Sequence, residues 1–166
     1  MKKFINDLAE MKVFYINVGG GEPLLHPNFL EIMDYAHEKG VYAQFSTNGT
    51  LIGSKMAEEI SQRDLRVQVS LDGWVAPVND SIRGAGTYQQ AVEAIRLLCE
   101  KRVITALNCV VTKHTIPGLD QMLSLANLYG AKLRLSRLRP SGRAKDIWQE
   151  LAPSREQYSQ LVLVIY

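Results

Sequence analysis

The chain has 166 residues, 46% hydrophobic and 22% charged, with a net charge of +2. That is enough apolar material for one packed domain, and it excludes both dominant disorder and a strongly basic nucleic-acid binder. Cys99 and Cys109 suffice neither for a disulfide framework nor for a four-ligand structural zinc site. Asp7 and Glu10 interrupt any secretory h-region, and no apolar run reaches bilayer length, so a reduced, cytoplasmic setting without membrane contact is expected.

In chain order, residues 13–18 are β-branched and aromatic and read as a strand running into Gly19, Gly20 and Gly21. Residues 28–39 carry Phe29, Ile32, Met33 and Ala36 on one helical stripe, with Gly40 as the stop. Strand 41–46 follows and turns at Thr47-Asn48-Gly49; Ser54 is expected to cap a helix reaching about residue 62. Strand 66–71 ends in Asp72-Gly73, and residues 73–86, with Pro77, Gly84 and Gly86, read as a long functional loop. A helix over 87–102, a strand over 105–111, a helix over 118–129 and a strand over 132–138 complete the alternation. An amphipathic stretch over 154–166 ends without a stop signal, and its apolar end needs a partner surface, so the chain reads as an excerpt of a longer protein. Strand and helix alternating at this spacing predict parallel strands with helical crossovers.

Strands buried on both faces of a parallel sheet are near-continuous aliphatic runs. These alternate instead. Val41, Ala43 and Phe45 oppose Tyr42, Gln44 and Ser46, and Val67, Val69 and Leu71 oppose Gln68, Ser70 and Asp72. Leu107 and Cys109 oppose Asn108, and Leu133 and Leu135 oppose Lys132, Arg134 and Ser136. Aliphatic faces belong under helices, and the polar faces must line something wet or ligand-filled, because unpaired buried amides are costly. The expected fold is therefore α/β: a partial (β/α) TIM-like barrel with a polar lumen, truncated at both ends. In such barrels the chemistry sits at the C-terminal strand ends.

Those ends carry Gly20-Gly21-Glu22-Pro23, Ser46-Thr47-Asn48-Gly49, Ser70-Leu71-Asp72-Gly73 and the arginines Arg137, Arg139 and Arg143. Consecutive glycines let a ligand approach backbone amides, and the Glu22 carboxylate suits an amine; a tight strand–helix turn explains the same residues. The hydroxyls and carboxylate of the Ser46–Gly49 and Ser70–Gly73 motifs could hold ribose hydroxyls, or Asp72 could accept a proton; Asx turns are the plainer alternative. The arginines, with Arg83, could clamp a carboxylate or lie in a salt-bridged surface. His26, His37 and His114 show no metal spacing, and both cysteines read as core thiols.

Taken in this order, the motifs resemble the radical S-adenosylmethionine (SAM) superfamily, in its peptide-modifying branch with a C-terminal SPASM extension. The segments Val13-Phe14-Tyr15-Ile16-Asn17-Val18 through Pro23, and Leu135-Ser136-Arg137-Leu138-Arg139-Pro140-Ser141-Gly142-Arg143, are most similar to the mycofactocin type of maturase. Trp148 and Leu151 continue that similarity. The resemblance covers the central part of a radical SAM catalytic domain across residues 1–166, without its first strand, its cluster loop or its SPASM region. It implies that Gly20, Gly21 and Glu22 meet the amino group of the SAM methionine. Ser70 would reach the ribose, with Ser46 and Asn48 in the same cofactor-binding set. Arg83 or Arg137 would pair with the methionine carboxylate, and Leu138 would lie beside adenine. Asp72, as the catalytic residue, would face the substrate cavity.

The resemblance also implies a [4Fe-4S] cluster held by a C-x3-C-x2-C loop, which these residues lack, so the chain alone is expected to be inactive. In full length it would decarboxylate and crosslink the C-terminal Val-Tyr of a small ribosomal precursor peptide, with a small peptide-binding chaperone as partner. Open barrel edges would favour self-association. Rival expectations are a maturase of pyrroloquinoline quinone or haem biosynthesis, and a non-catalytic module binding a nucleoside or peptide.

Overall fold

The computed structural model describes residues 1–63, 65–140 and 142–165, the side chains of 143, 144 and 162–165 excepted. Its five strands are β1 (Tyr15–Val18), β2 (Tyr42–Thr47), β3 (Arg66–Ser70), β4 (Thr105–Val111) and β5 (Lys132–Arg137). They pair in sequence order, all parallel, and curve into a half-barrel. The helices are α1 (Lys2–Glu10), α2 (Phe29–Glu38), α3 (Ser54–Ser61), α4 (Ala76–Arg83), α5 (Thr87–Glu100), α6 (Leu119–Tyr129), α7 (Trp148–Leu151) and α8 (Arg155–Ile165).

The two faces of the sheet divide as the alternation predicts. Phe45, Val67, Val69, Leu71, Leu107 and Cys109 form the core with the inner stripes of α2, α3, α5 and α6. Ala91, Ala94, Ile95 and Leu98 are the buried stripe of α5, and the small residues let that helix lie close to the sheet. Each fully buried Leu or Val contributes about 1.5–3 kcal/mol of transfer energy, so this face supplies most of the stability. The opposite, concave face carries Asn17, Gln44, Ser46, Gln68, Ser70 and Asn108, brought together by registers such as Asn17↔Gln44, Ser46↔Gln68 and Ser70↔Asn108.

Two local expectations are corrected, and one helix is added. Residues 73–86 are not one long loop: Pro77 stands in the first turn of α4, where its missing N–H costs nothing, and Gly84, at φ 107°, ends it. Ser54 does not cap α3; extended Gly53 holds that position and Ser54 is the first helical residue. Residues 2–10 form α1, whose Ile5 is 1% exposed against Ala36 and Val41. Tyr166, at the end of the predicted amphipathic stretch, lies outside the described residues. Among the described residues, no helix is long and apolar enough to cross a membrane.

Candidate functional site at the strand ends

The loop after β1 is open. A Cβ at Gly19, Gly20 or Gly21 would meet nothing within 4 Å, and Gly20 takes φ 113°, a conformation that favours glycine. This loop forms one wall of a cavity of about 580 Å³ whose other walls are α1, β1 and α2, including Phe4, Ile5, Phe29 and Met33.

Glu22 joins that loop to the end of β2. Its Oε1 accepts the Thr47 hydroxyl at 2.7 Å and the Leu24 N–H at 3.3 Å, and its Oε2 accepts the Asn48 N–H at 2.8 Å. An ionised carboxylate has about four acceptor positions. Three neutral donors therefore fix its orientation, leave its charge uncompensated, and leave one position on Oε2 for a cationic donor. Thr47, which sequence reasoning passed over for Ser46 and Asn48, makes this possible. The available signal was its place on the aliphatic face, where a hydroxyl 2% exposed must find a partner.

Asn48 folds back on its own turn, its Oδ1 accepting the Thr50 N–H and hydroxyl at 2.8 and 2.7 Å. Gly49, at φ 82°, lets this turn approach α5, where a Cβ would stand 3.1 Å from that of Ala94. Ser46 donates to Gln68 Oε1 over 3.4 Å, and Ser70 is half-buried on the same concave face.

Asp72 is 3% exposed and heavily engaged. It accepts the Val110 N–H of β4 and pairs with Arg83 Nη2, each at 2.7 Å, while its own N–H donates to Asn79 Oδ1 at 2.9 Å. Burial pushes its pKa above the ordinary carboxylate range, against the opposing pull of Arg83 and the Val110 N–H. Asn79, fully buried, donates in turn to Asp80 and Thr87, so α4 and the start of α5 are tied to the β3 end through one amide. Arg83 is thus held against Asp72, with its Nε buried and without a partner.

Leu138 is buried at the end of β5, whereas Arg137 shares the outer face with Leu135 and Val111. Its guanidinium stands 5.8 Å from the Tyr158 ring, in a cleft of about 860 Å³ beside α8. The structure therefore brings Gly20, Gly21, Glu22, Ser46 and Asn48 together, places Ser70 and Asp72 along the same rim, and turns Arg137 to the other side of the sheet. Arg139 is exposed; the side chain of Arg143 lies outside the described residues.

The residues present do not fit a [4Fe-4S] cluster. Among the described residues no three His, Cys, Asp or Glu side chains gather as metal ligands. Cys109 is fully buried on the outer face of β4, and burial, with the Asp72 charge second, pushes its thiol up to about 12. Burial also raises the half-buried Cys99 on α5. Iron binds the thiolate, which these surroundings disfavour.

The fold is thus a parallel half-barrel with a glycine-rich loop and a hydrogen-bonded carboxylate after β1. The family described as the Radical SAM superfamily matches residues 1–126, and the chain belongs to it. Over 155 residues, 92% of the chain, it is 46% identical to "Mycofactocin maturase MftC" of Mycobacterium ulcerans, and it spans 42% of that protein's length. The fold is similar to Streptococcus suis SuiB bound to S-adenosylmethionine, with TM-score 0.81 at 13% identity, covering 99% of this chain and 39% of that one. SuiB bound to its precursor peptide SuiA gives TM-score 0.74 at 14% identity, over 84% and 32% of the two chains.

Proposed function

We propose that this chain is the central part of the catalytic domain of a radical SAM peptide maturase of the mycofactocin type, an enzyme in its full length. The observation that carries this reading is the 46% identity to a mycofactocin maturase over 92% of the chain. The glycine loop and Glu22 fit SAM: the open space beside Gly20 and Gly21 admits an amino-acid moiety, and the remaining acceptor position of Glu22 suits its ammonium. Ser46, Asn48 and Ser70 would serve the ribose and Leu138 the adenine. Arg83, held at the rim by Asp72, suits the methionine carboxylate better than Arg137 on the outer face. When bound, SAM supplies the one-electron oxidising chemistry of the family. Asp72 would serve the substrate end of the site; burial raises its proton affinity. The cluster requires ligands other than Cys99 and Cys109, so this chain alone is inactive.

The substrate we infer is a small ribosomal precursor peptide, presented by a small peptide-binding chaperone, whose C-terminal Val-Tyr is oxidatively decarboxylated and then crosslinked. The test is mass spectrometry of a Val-Tyr-ending peptide after anaerobic turnover by the full-length, cluster-loaded protein. Loss of carbon dioxide and two hydrogens is expected. An unchanged peptide under conditions where SAM is consumed would remove the substrate assignment. Glu22→Ala should weaken SAM binding about tenfold or more, since a buried-side charge contact is lost; unchanged binding would remove the site.

A further inference from the structure

Two carboxamides on the concave face are oriented as a pair. Gln68 on β3 is 4% exposed, and Asn108 on β4 is half-buried. Gln68 spends its oxygen on the Ser46 hydroxyl of β2 at 3.4 Å, and Asn108 spends its own on the Ser136 hydroxyl of β5 at 2.7 Å. Those two serines lie on opposite flanks, because the strands run in the order β2, β3, β4, β5. In a carboxamide the oxygen and the NH2 group point to opposite sides of the same carbon. With the oxygens turned outward to β2 and β5, the two NH2 groups turn inward, toward each other.

The residues beside them leave room. Gln68 is in register with Ala106, and Ser70, two residues further along β3, is in register with Asn108. The four share one face, with the amides on one diagonal and the two small side chains on the other. Neighbouring strands lie about 4.8 Å apart, and same-face residues follow at about 6.6 Å along a strand. An oxygen seated over Ala106 and Ser70 is therefore within reach of both NH2 groups, and a carbonyl oxygen has two lone pairs to accept from both. Among the described residues neither NH2 group is hydrogen-bonded. Gln44, two residues before Ser46 on the same face of β2, adds a buried Nε2 without a partner. This floor is short of acceptors, and buried donors left unpaired are costly, so its ligand must supply them. Neutral donors match a neutral carbonyl; Arg134 lies on the other, β5 side of Asn108 and is exposed.

Position joins the pair to the proposed cofactor contacts. Gln68 is bonded to Ser46 and Asn108 is in register with Ser70, so a group held between the amides sits beside the residues assigned to the ribose. We propose that Gln68 and Asn108 together hold the backbone carbonyl of the Val–Tyr peptide bond and so place the reacting end of the substrate next to SAM. That carbonyl survives both decarboxylation and crosslinking. The assignment of these specificity residues rests on the peptide-maturase reading.

The test uses the full-length, cluster-loaded protein and two fluorophore-labelled peptides ending in Val-Tyr. In the second, the hydroxy acid corresponding to tyrosine makes the last amide an ester, whose carbonyl is a weaker acceptor. Anisotropy gives both affinities, and calorimetry gives that for SAM. The wild type should prefer the amide peptide by about tenfold. The neutral Gln68→Met and Asn108→Leu variants should each narrow that ratio, and the double variant should bring it to about twofold with SAM affinity unchanged. Comparing ratios cancels the N–H that the ester also removes, and the single variants keep the test intact if the double variant fails to fold. Equal binding of the two peptides by the wild type, or a ratio the same in wild type and variants, would overturn this proposal alone. Loss of SAM affinity in variants that circular dichroism shows to be folded would assign the amides to the cofactor and overturn it as well. Wild-type protein that binds SAM but neither peptide would remove the peptide reading itself, and this assignment with it.

Discussion

Glu22 and Asp72 are carboxylates at neighbouring strand ends, and their surroundings give them opposite characters. Glu22 is oriented by three neutral donors and keeps its charge for a ligand. Asp72 spends its charge on Arg83 and is the more deeply buried of the two. Because burial outweighs Arg83 and raises its pKa, Asp72 binds its proton more tightly folded than unfolded. Its own titration therefore adds stability below the ordinary carboxylate range and loses it as pH rises through the raised value. Relative to Asp72→Asn, in which this titration is absent, the wild type should gain stability as pH falls from neutral towards that range. Urea unfolding of both proteins across the interval measures this, and a gap that instead grows with rising pH would mean that the attraction to Arg83 wins. Both acids were legible in the sequence as strand-end groups. Their difference was not, because it depends on Thr47 and Arg83, one on the aliphatic face and one inside a segment read as loop.

At the scale of elements, legibility followed the kind of residue each element buries. Strand β4 alternates cleanly and its predicted bounds match, and α2, α5 and α6 each bury an apolar stripe. Helix α4 buries only Asn79, a polar residue satisfied by hydrogen bonds, so it has no stripe to read; α1 buries only Ile5. What fixes the segment before α4 is a contact across the fold. The Trp74 ring lies where a Cβ of Gly118 would stand, 1.7 Å from the nearest ring atom, and its carbonyl accepts the Tyr88 hydroxyl at 2.9 Å. Gly118→Ala should displace the indole and cost about 1–3 kcal/mol, the usual range for overpacking. A lower urea midpoint together with shifted tryptophan emission checks this, and an unchanged midpoint would contradict the packing described.

At the scale of the chain, the described residues form a half-barrel with two unpaired edges, on β1 and β5. Beside β1, Phe14 is 76% exposed and Phe4 57% exposed, so this edge is also apolar. Exposed parallel edges are templates for pairing with other chains. We expect this chain, on its own, to self-associate increasingly with concentration; a monomer by light scattering at high concentration would contradict that. The order of the strands has a different consequence, for how the molecule comes into being. Every strand pairs only with its sequence neighbours, so no pairing waits for a distant partner to be synthesised. Contacts this local lower the loop-closure cost of folding. As the chain leaves the ribosome, each strand and its helix can dock on the unit already formed, in the order of translation.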